Sequence, residues 1–251
     1  MRFHQGNKEF WLAAIRSDGP AFRAAIAEAD PAAPVPSCPE WTVGELTAHL
    51  VRIYTWVASH VGRGVTSAPD IAKPQGPVTA GAAEFDEAYQ ALLTLLDALD
   101  PEMPAWNWAP QAKRVAFWQR RMAHETSLHR WDAQIALARA EPIETKLAAD
   151  GVSEVLDTLL PAGKGRCPID RHGMVALYAT DLEHGWHLRL RTGGGVALLD
   201  TDTLLDDDDL HERAIAQGTA SDLQLALWGR IDLDVLDLTG EVGLLDCLQV
   251  G

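Results

Sequence analysis

Residues 120–138, RRMAHETSLHRWDAQIALA, contain the spacing that decides the fold of the first half of the chain. Alternating steps of four and three residues pick out a single face of a long helix. This face consists of Trp118, Met122, Glu125, His129, Asp132 and Ala136. It begins with two large apolar side chains, so we expect it to point into the protein. Burying the ionisable groups that follow costs free energy unless they are paired or bind a metal.

A second helix supplies a matching face. Thr42 and Glu45 have the spacing of a capping box, which predicts a helix start. Its inward face has one ionisable residue among apolar ones: Leu46, His49, Ile53 and Trp56. Glu125 and His129 are four residues apart and project to the same side of their helix. Together with His49 they form a candidate three-ligand site for Zn²⁺ or another divalent ion, with a coordination position left open as in catalytic zinc sites.

Other interpretations of these residues stay open. A lone histidine on an apolar face can be a satisfied core residue, and Glu125 with His129 can be a simple hydrogen-bonded pair. His124 and His129 are five residues apart and diverge by roughly 140° around a helix, unlike the HExxH pattern. Glu125 is therefore expected as a ligand rather than a general base, and His124 as an outer or surface group. Asp132 could orient a ligand histidine or form a salt bridge with a neighbouring Arg.

The wider pattern predicts two domains. Apolar periodicity and Pro/Gly-rich connectors predict four main helices: Lys8–Glu28, Thr42–Val61, Ala82–Leu99 and Lys113–Ala140. These favour an all-α four-helix bundle. A shorter helix, 144–160, leads to strand patterns around a turn at 184–185 and a helix ending near Leu227, which indicate a small α+β domain. The predicted domains are residues 1–160 and 161–251.

Composition narrows the class of function. The chain has 47% hydrophobic and 23% charged residues and a formal charge of −15. Such an acidic surface disfavours nucleic acid and anionic membranes as partners, and no stretch approaches the roughly 20 apolar residues that span a bilayer. Small molecules are the expected partners, and the protein is expected to be a monomer or a homodimer. Cys38, Cys167 and Cys247 are an odd, widely spaced set, which argues against a disulfide framework and for the cytoplasm.

Three strings resemble the mycothiol-dependent maleylpyruvate isomerase family across nearly the whole chain. They are SCPEWTVGELTAHL at 37–50, RRMAHETSLHRWDA at 120–133 and GTASDLQLALWGR at 218–230. The resemblance implies a DinB-like four-helix bundle that binds a divalent metal, commonly zinc, through His49, Glu125 and His129. It also implies a second domain similar to sterol carrier proteins.

The resemblance further implies mycothiol as a low-molecular-weight thiol cosubstrate, used in isomerisation or S-transfer on a small electrophile. Arg230 matches an arginine that the family needs for activity, and its guanidinium could clamp a substrate carboxylate. The alternative for Arg230 is a charge that caps the helix end after Gly229. Two other functions stay open: a non-enzymatic module that binds a lipid or other small molecule, and a metal-dependent hydrolase that uses water at the open position.

Overall fold

The computed structural model of the protein describes residues 6–70, 74–76, 78–165, 170–191, 195–199 and 212–250. The chain folds into two compact units, Gly6–Ile143 and Glu144–Gly251. Within the described residues, none of the helices combines the length and the apolar character needed to cross a bilayer.

The N-terminal unit is a helical bundle, as predicted. Its helices are α1 (Lys8–Glu28), α2 (Val43–His60), α3 (Ala82–Ala98) and α4 (Val115–Ile135). Helices α3 and α4 each pack against both α1 and α2, so α2 and α4 are neighbours in the bundle. The largest fully buried side chains in its core include Trp118, Tyr54, Phe22 and Phe85.

Local signals explain where these helices start and stop. The Thr42 side chain accepts a hydrogen bond from the Glu45 amide while the Glu45 carboxylate accepts one from the Thr42 amide, which completes the predicted capping box. Helix α4 is shorter than expected at both ends. After Ile135 the backbone leaves the helix, and Ala138 adopts a left-handed conformation with φ of 55°, which an L-residue adopts only at a turn.

The proline-rich segment before α2 was expected to be a loop and instead contains a short hairpin. Strands β1 (Pro34–Val35) and β2 (Cys38–Thr42) pair antiparallel, and Val35 is fully buried. At the base of this β1–β2 hairpin, the Val43 amide donates to the Ala33 carbonyl at 2.9 Å. The hairpin therefore runs directly into the first turn of α2.

The C-terminal unit combines helices with one mixed sheet, which confirms the α+β prediction. Its helices are α5 (Thr145–Glu154), which continues into a π-helical turn at Val155–Leu159, and α6 (Ala220–Leu227). The strands are β3 (Gly173–Ala179), β4 (His184–Arg191), β5 (Gly195–Leu199), β6 (Arg213–Gly218) and β7 (Asp237–Gly240). They lie in the order β5-β4-β3-β6-β7, with β3 and β6 parallel and the other pairs antiparallel.

The division between the units comes earlier than the boundary at residue 160 expected from the sequence. Helix α5 packs against α6, and its residues Leu147, Ala148 and Val152 are buried. The helix that the sequence assigned to the end of the first domain is therefore part of the core of the second unit.

One cysteine, Cys247, is in a disulfide bond, which the sequence did not lead us to expect. Cys247 is buried, Cys38 is not in a disulfide, and Cys167 lies outside the described residues. Wide sequence spacing gave no indication of this bond, because folding rather than spacing decides which thiols meet.

Candidate metal centre

Two helices bring three potential ligands together at one side of the bundle. Helix α2 supplies His49, and α4 supplies Glu125 and His129 one turn apart. The potential ligand atoms of the three residues all lie within 4.8 Å of one another. Glu125 Oε1 is 2.8 Å from His49 Nε2 and 3.5 Å from His129 Nε2. One carboxylate oxygen therefore faces both imidazoles.

The three side chains differ in how far they reach water. The His49 side chain is 22% exposed, that of Glu125 13% and that of His129 5%. Next to them, the Tyr54 and Thr126 hydroxyls lie 2.6 Å apart and join α2 to α4 in the buried core. The cluster is thus rigidly backed by the bundle and open on the His49 side.

Two histidines and a buried arginine together keep Glu125 ionised. Burial by itself would raise the pKa of this carboxyl, but hydrogen bonds with His129 and His49 and the nearby Arg121 charge hold the pKa well below its usual range. Arg121 donates to Glu125 Oε2 at 2.9 Å. Sequence reasoning missed Arg121, although its spacing of four residues from Glu125 is a standard signal for a helical ion pair.

The two histidines respond differently to their surroundings. Burial lowers the pKa of His49 and outweighs the opposing effect of its hydrogen bond with Glu125. Burial also acts to lower the pKa of His129, but hydrogen bonds with Asp132 and Glu125 raise it overall. A proton therefore competes for the site mainly at His129.

Asp132 makes a hydrogen bond with His129, the contact that its predicted role as an orienting group requires. It is fully buried, and its Oδ2 accepts a hydrogen bond from His129 Nδ1 at 2.8 Å. Its Oδ1 accepts one from the Ser37 hydroxyl at 2.6 Å. Because a carboxylate oxygen only accepts, Nδ1 of His129 carries the hydrogen, and in the neutral ring the lone pair lies on Nε2.

The β1–β2 hairpin also places an aromatic ring against the cluster. The Trp41 ring lies 4.8 Å from that of His49 and 6.1 Å from that of His129, measured between centroids. From the sequence, Trp41 is one of nine tryptophans expected mostly in the core, with some that could line a cleft. Its position directly before the helix cap could have indicated a ring at the mouth of the site, because His49 lies two turns further along α2.

The remaining predicted residues fall in three places. His124 is buried, so the expectation that it could be a surface group is wrong. Cys38 lies on β2, with its Sγ 3.8 Å from Asp132 Oδ2. Arg230 belongs to the C-terminal unit, where it donates to the Trp228 carbonyl at 3.1 Å beyond the end of α6, a contact of the helix-capping kind.

The donor set fits a divalent metal ion. Two imidazole nitrogens and one carboxylate oxygen, held by adjacent helices and backed by a hydrogen-bonded outer carboxylate, have the composition of a three-ligand catalytic site. A helical bundle with such a cluster, followed by an α+β unit, defines the class: a two-domain protein with a candidate metal centre in its bundle.

Comparison with known proteins identifies the family. The mycothiol maleylpyruvate isomerase N-terminal domain matches residues 12–134, and the C-terminal domain of the same isomerase matches residues 146–246. The chain therefore belongs to the mycothiol-dependent maleylpyruvate isomerase family, a family of enzymes, and the resemblance found in the sequence is confirmed.

Solved structures of this family share the fold. Crystal structures of a mycothiol-dependent maleylpyruvate isomerase, as a point mutant and without a stated mutation, match with TM-scores of 0.60 and 0.53. Each is 13% identical, and each match covers 97% of this chain and 96% of the other. No curated protein sequence matches the chain.

Proposed function

We propose that the protein is a divalent-metal-dependent enzyme that uses mycothiol to isomerise, or to transfer sulfur to, a small electrophilic substrate. The observation that carries this proposal is the partly buried cluster of His49, Glu125 and His129, with ligand atoms within 4.8 Å of one another. Membership of the family supports the thiol and the reaction class.

The charges at the cluster favour an anionic ligand. A divalent ion held there would lower the pKa of a thiol bound at the open position, so that the nucleophilic thiolate forms at neutral pH. Asp132 and Glu125 carry two negative charges, and Arg121 carries one positive charge. With both histidines neutral, these groups and a divalent ion sum to one positive charge, and Arg52 adds a second positive charge that acts on His49. An anion such as a thiolate is therefore favoured.

The reaction follows from thiolate chemistry. Addition of the sulfur to a carbon–carbon double bond conjugated with a carbonyl group forms a C–S bond and moves the electron pair onto the carbonyl. Rotation about the resulting single bond, followed by expulsion of the thiolate, returns the double bond in the trans geometry. If the adduct is protonated instead, the product is an S-conjugate. The chain's part is to hold the reacting groups and to exclude water, for which Trp41 lies against both ligand rings.

The first test measures metal content and thiol dependence together. The protein and its His129→Ala variant are purified without added metal or an affinity tag. We expect about one divalent ion per wild-type chain and none in the variant, and maleylpyruvate turnover only when mycothiol is present. A metal-free wild-type protein that takes up no metal on titration would contradict the proposal. Thiol-independent ester hydrolysis would favour the hydrolase alternative.

Arg230 is proposed to bind a substrate carboxylate. Its guanidinium lies 5.8 Å from the centroid of the Trp228 ring, which leaves a planar donor beside an aromatic side chain. We expect Arg230→Lys to raise KM for a carboxylate substrate, because lysine cannot make the bidentate contact. Unchanged KM and kcat would leave helix capping as its role.

A further inference from the structure

The β1–β2 hairpin is linked to one of the candidate metal ligands by a line of hydrogen bonds. The Ser37 hydroxyl, at the turn of the hairpin, donates to Asp132 Oδ1 at 2.6 Å. The other oxygen of the same buried carboxylate accepts from His129 Nδ1 at 2.8 Å. A segment that precedes α2 therefore reaches a ligand on α4 through one side chain.

We propose that Ser37 and Asp132 are positioning residues of the metal centre, which together fix the ring orientation and tautomer of His129. This inference rests on the proposed function, because it concerns how the same site is held. Ser37 bonds Asp132 and Asp132 bonds His129, so both residues act on the site through His129.

The physical need for this arrangement lies in the freedom of an imidazole. Rotation about the last side-chain torsion of histidine is broad and roughly twofold, so a buried ring can present either nitrogen to the site. A hydrogen bond from Nδ1 to the Asp132 carboxylate removes that choice and leaves Nε2 of the neutral ring as the only metal-binding nitrogen. His129 Nε2 indeed faces Glu125 Oε1, at 3.5 Å.

Ser37 completes the arrangement because a carboxylate on α4 alone could rotate. Asp132 has no exposed surface, so leaving one of its oxygens without a hydrogen bond would destabilise the buried carboxylate. The Ser37 hydroxyl satisfies that oxygen from a second direction. The hairpin that carries Ser37 is itself held by the buried Val35 and by the backbone bond between Val43 and Ala33.

The other face of the hairpin supports the same conclusion. Trp41 lies near the end of β2, and its ring packs against that of His49. One short hairpin is thus linked to both candidate histidine ligands. It reaches His129 through the Asp132 carboxylate, and it contacts His49 through the Trp41 ring. Such contacts orient ligands that come from two different helices.

The test compares Asp132→Asn and Ser37→Ala with a matched control, Ser59→Ala. Ser59 is exposed, and its hydroxyl donates only locally to the Trp56 carbonyl on α2. Zn²⁺ affinity of the metal-stripped proteins is measured by competition with a chromophoric chelator. We expect Asp132→Asn to bind Zn²⁺ about 10–100-fold more weakly and Ser37→Ala about tenfold more weakly, with Ser59→Ala unchanged.

A second readout does not need metal. Long-range ¹H–¹⁵N correlation spectra of the metal-free proteins, recorded above the pH at which His129 titrates, report its tautomer. We expect only the Nδ1–H form in wild type and a mixture in Asp132→Asn and Ser37→Ala.

Two results would overturn the proposal: wild-type Zn²⁺ affinity in a folded Asp132→Asn or Ser37→Ala protein, or a His129 tautomer that neither substitution changes. If Asp132→Asn does not fold, Ser37→Ala, which removes a single half-exposed hydroxyl, decides the matter. If the wild type takes up no Zn²⁺, the proposed function fails, while the tautomer still tests the role of Asp132.

Discussion

His49 and His60 lie on the same helix, α2, and meet very different neighbours. His49 faces a carboxylate and a second imidazole from α4. His60 donates from Nδ1 to the Trp56 carbonyl at 2.7 Å. Its ring is surrounded by indoles at centroid distances of 4.6, 5.7 and 5.1 Å, those of Trp56, Trp106 and Trp118. Burial lowers the pKa of both histidines.

An inward-facing position does not by itself make a histidine a candidate metal ligand. Within the described part of the chain, His60 Nε2 has no hydrogen-bond partner, and the surrounding rings provide packing rather than donors for a metal. What separates the two positions is the chemistry supplied by α4: Glu125 and His129 opposite His49, but Trp118 opposite His60. The four predictions below test that difference.

The largest expected effect is the loss of metal binding in His49→Ala. Removing a direct ligand should weaken Zn²⁺ binding by more than about 100-fold, the upper end of the loss seen for outer partners alone. His60→Ala on the same helix should bind Zn²⁺ as wild type does. Competition with a chelator measures both affinities. Equal losses of Zn²⁺ affinity in the two variants would contradict the prediction that His49 binds the metal and His60 does not.

Metal affinity should also fall as pH falls, because the ligands must lose protons before they bind a metal. Net hydrogen bonding with Asp132 and Glu125 raises the pKa of His129 in the metal-free protein. Competition from the proton therefore begins above the ordinary histidine range. Below that raised pKa, with one proton displaced, we expect about tenfold weaker binding per pH unit.

Chelator competition across a pH series, with His60→Ala as the control, measures this slope. The His60→Ala protein should show the same slope as wild type, since His60 packs among indole rings and is not part of the candidate metal cluster. A pH-independent affinity would mean that metal binding does not displace a proton from His129.

The sequence predicted α1 to the residue, the cap of α2 and the cluster of His49, Glu125 and His129, because these depend on helical spacing and local capping. It could not predict the β1–β2 hairpin, since four prolines suggested a loop and its short strands carry no alternating pattern. Ser37 and Trp41 were missed as parts of the site for the same reason: their contacts with α4 and α2 are set by the hairpin.

The C-terminal unit was harder to predict in detail. Strand β6 pairs in parallel with β3, a non-local partner that no turn signal connects to it. Residues 231–238 largely alternate apolar and acidic side chains, a pattern that predicts a strand. In the structure this segment is divided between a 3₁₀ turn at Leu233–Val235 and β7. The boundary between the two units likewise lies before α5 because this helix packs against α6. Helix α6 is far along the chain, so no local sequence pattern indicates this contact.

A smaller effect is expected for the stability of the His60→Ala protein. Removing a buried ring from among three indoles should reduce the free energy of unfolding by about 1–3 kcal/mol near neutral pH. The pKa of His60 is lowered by burial from 6.5, so the unfolded chain binds more protons than the folded one below that value. Its contribution to stability is present above pH 6.5 and is lost as pH falls toward the lowered pKa.

Urea denaturation of the metal-stripped proteins above and below this pH measures the difference. We expect the gap between wild type and His60→Ala to narrow as the solution becomes more acidic. If the difference in unfolding free energy widened instead, the fold would stabilise the charged form of His60, which would imply an acidic group close to its ring.

The smallest expected effect concerns the helix start that both histidines share. Thr42→Ala removes the side chain that accepts from the Glu45 amide, which should cost about 1 kcal/mol of stability. Thr42→Ser keeps that acceptor and should be close to wild type. Because the cap acts on α2 as a whole, Zn²⁺ affinity should not change in either variant once the protein is folded. Thermal unfolding with chelator competition separates the two quantities. If Thr42→Ala weakened Zn²⁺ binding while Thr42→Ser did not, the first turn of α2 would itself position His49. The difference between His49 and His60 would then depend on the helix cap as well as on the side chains that α4 supplies.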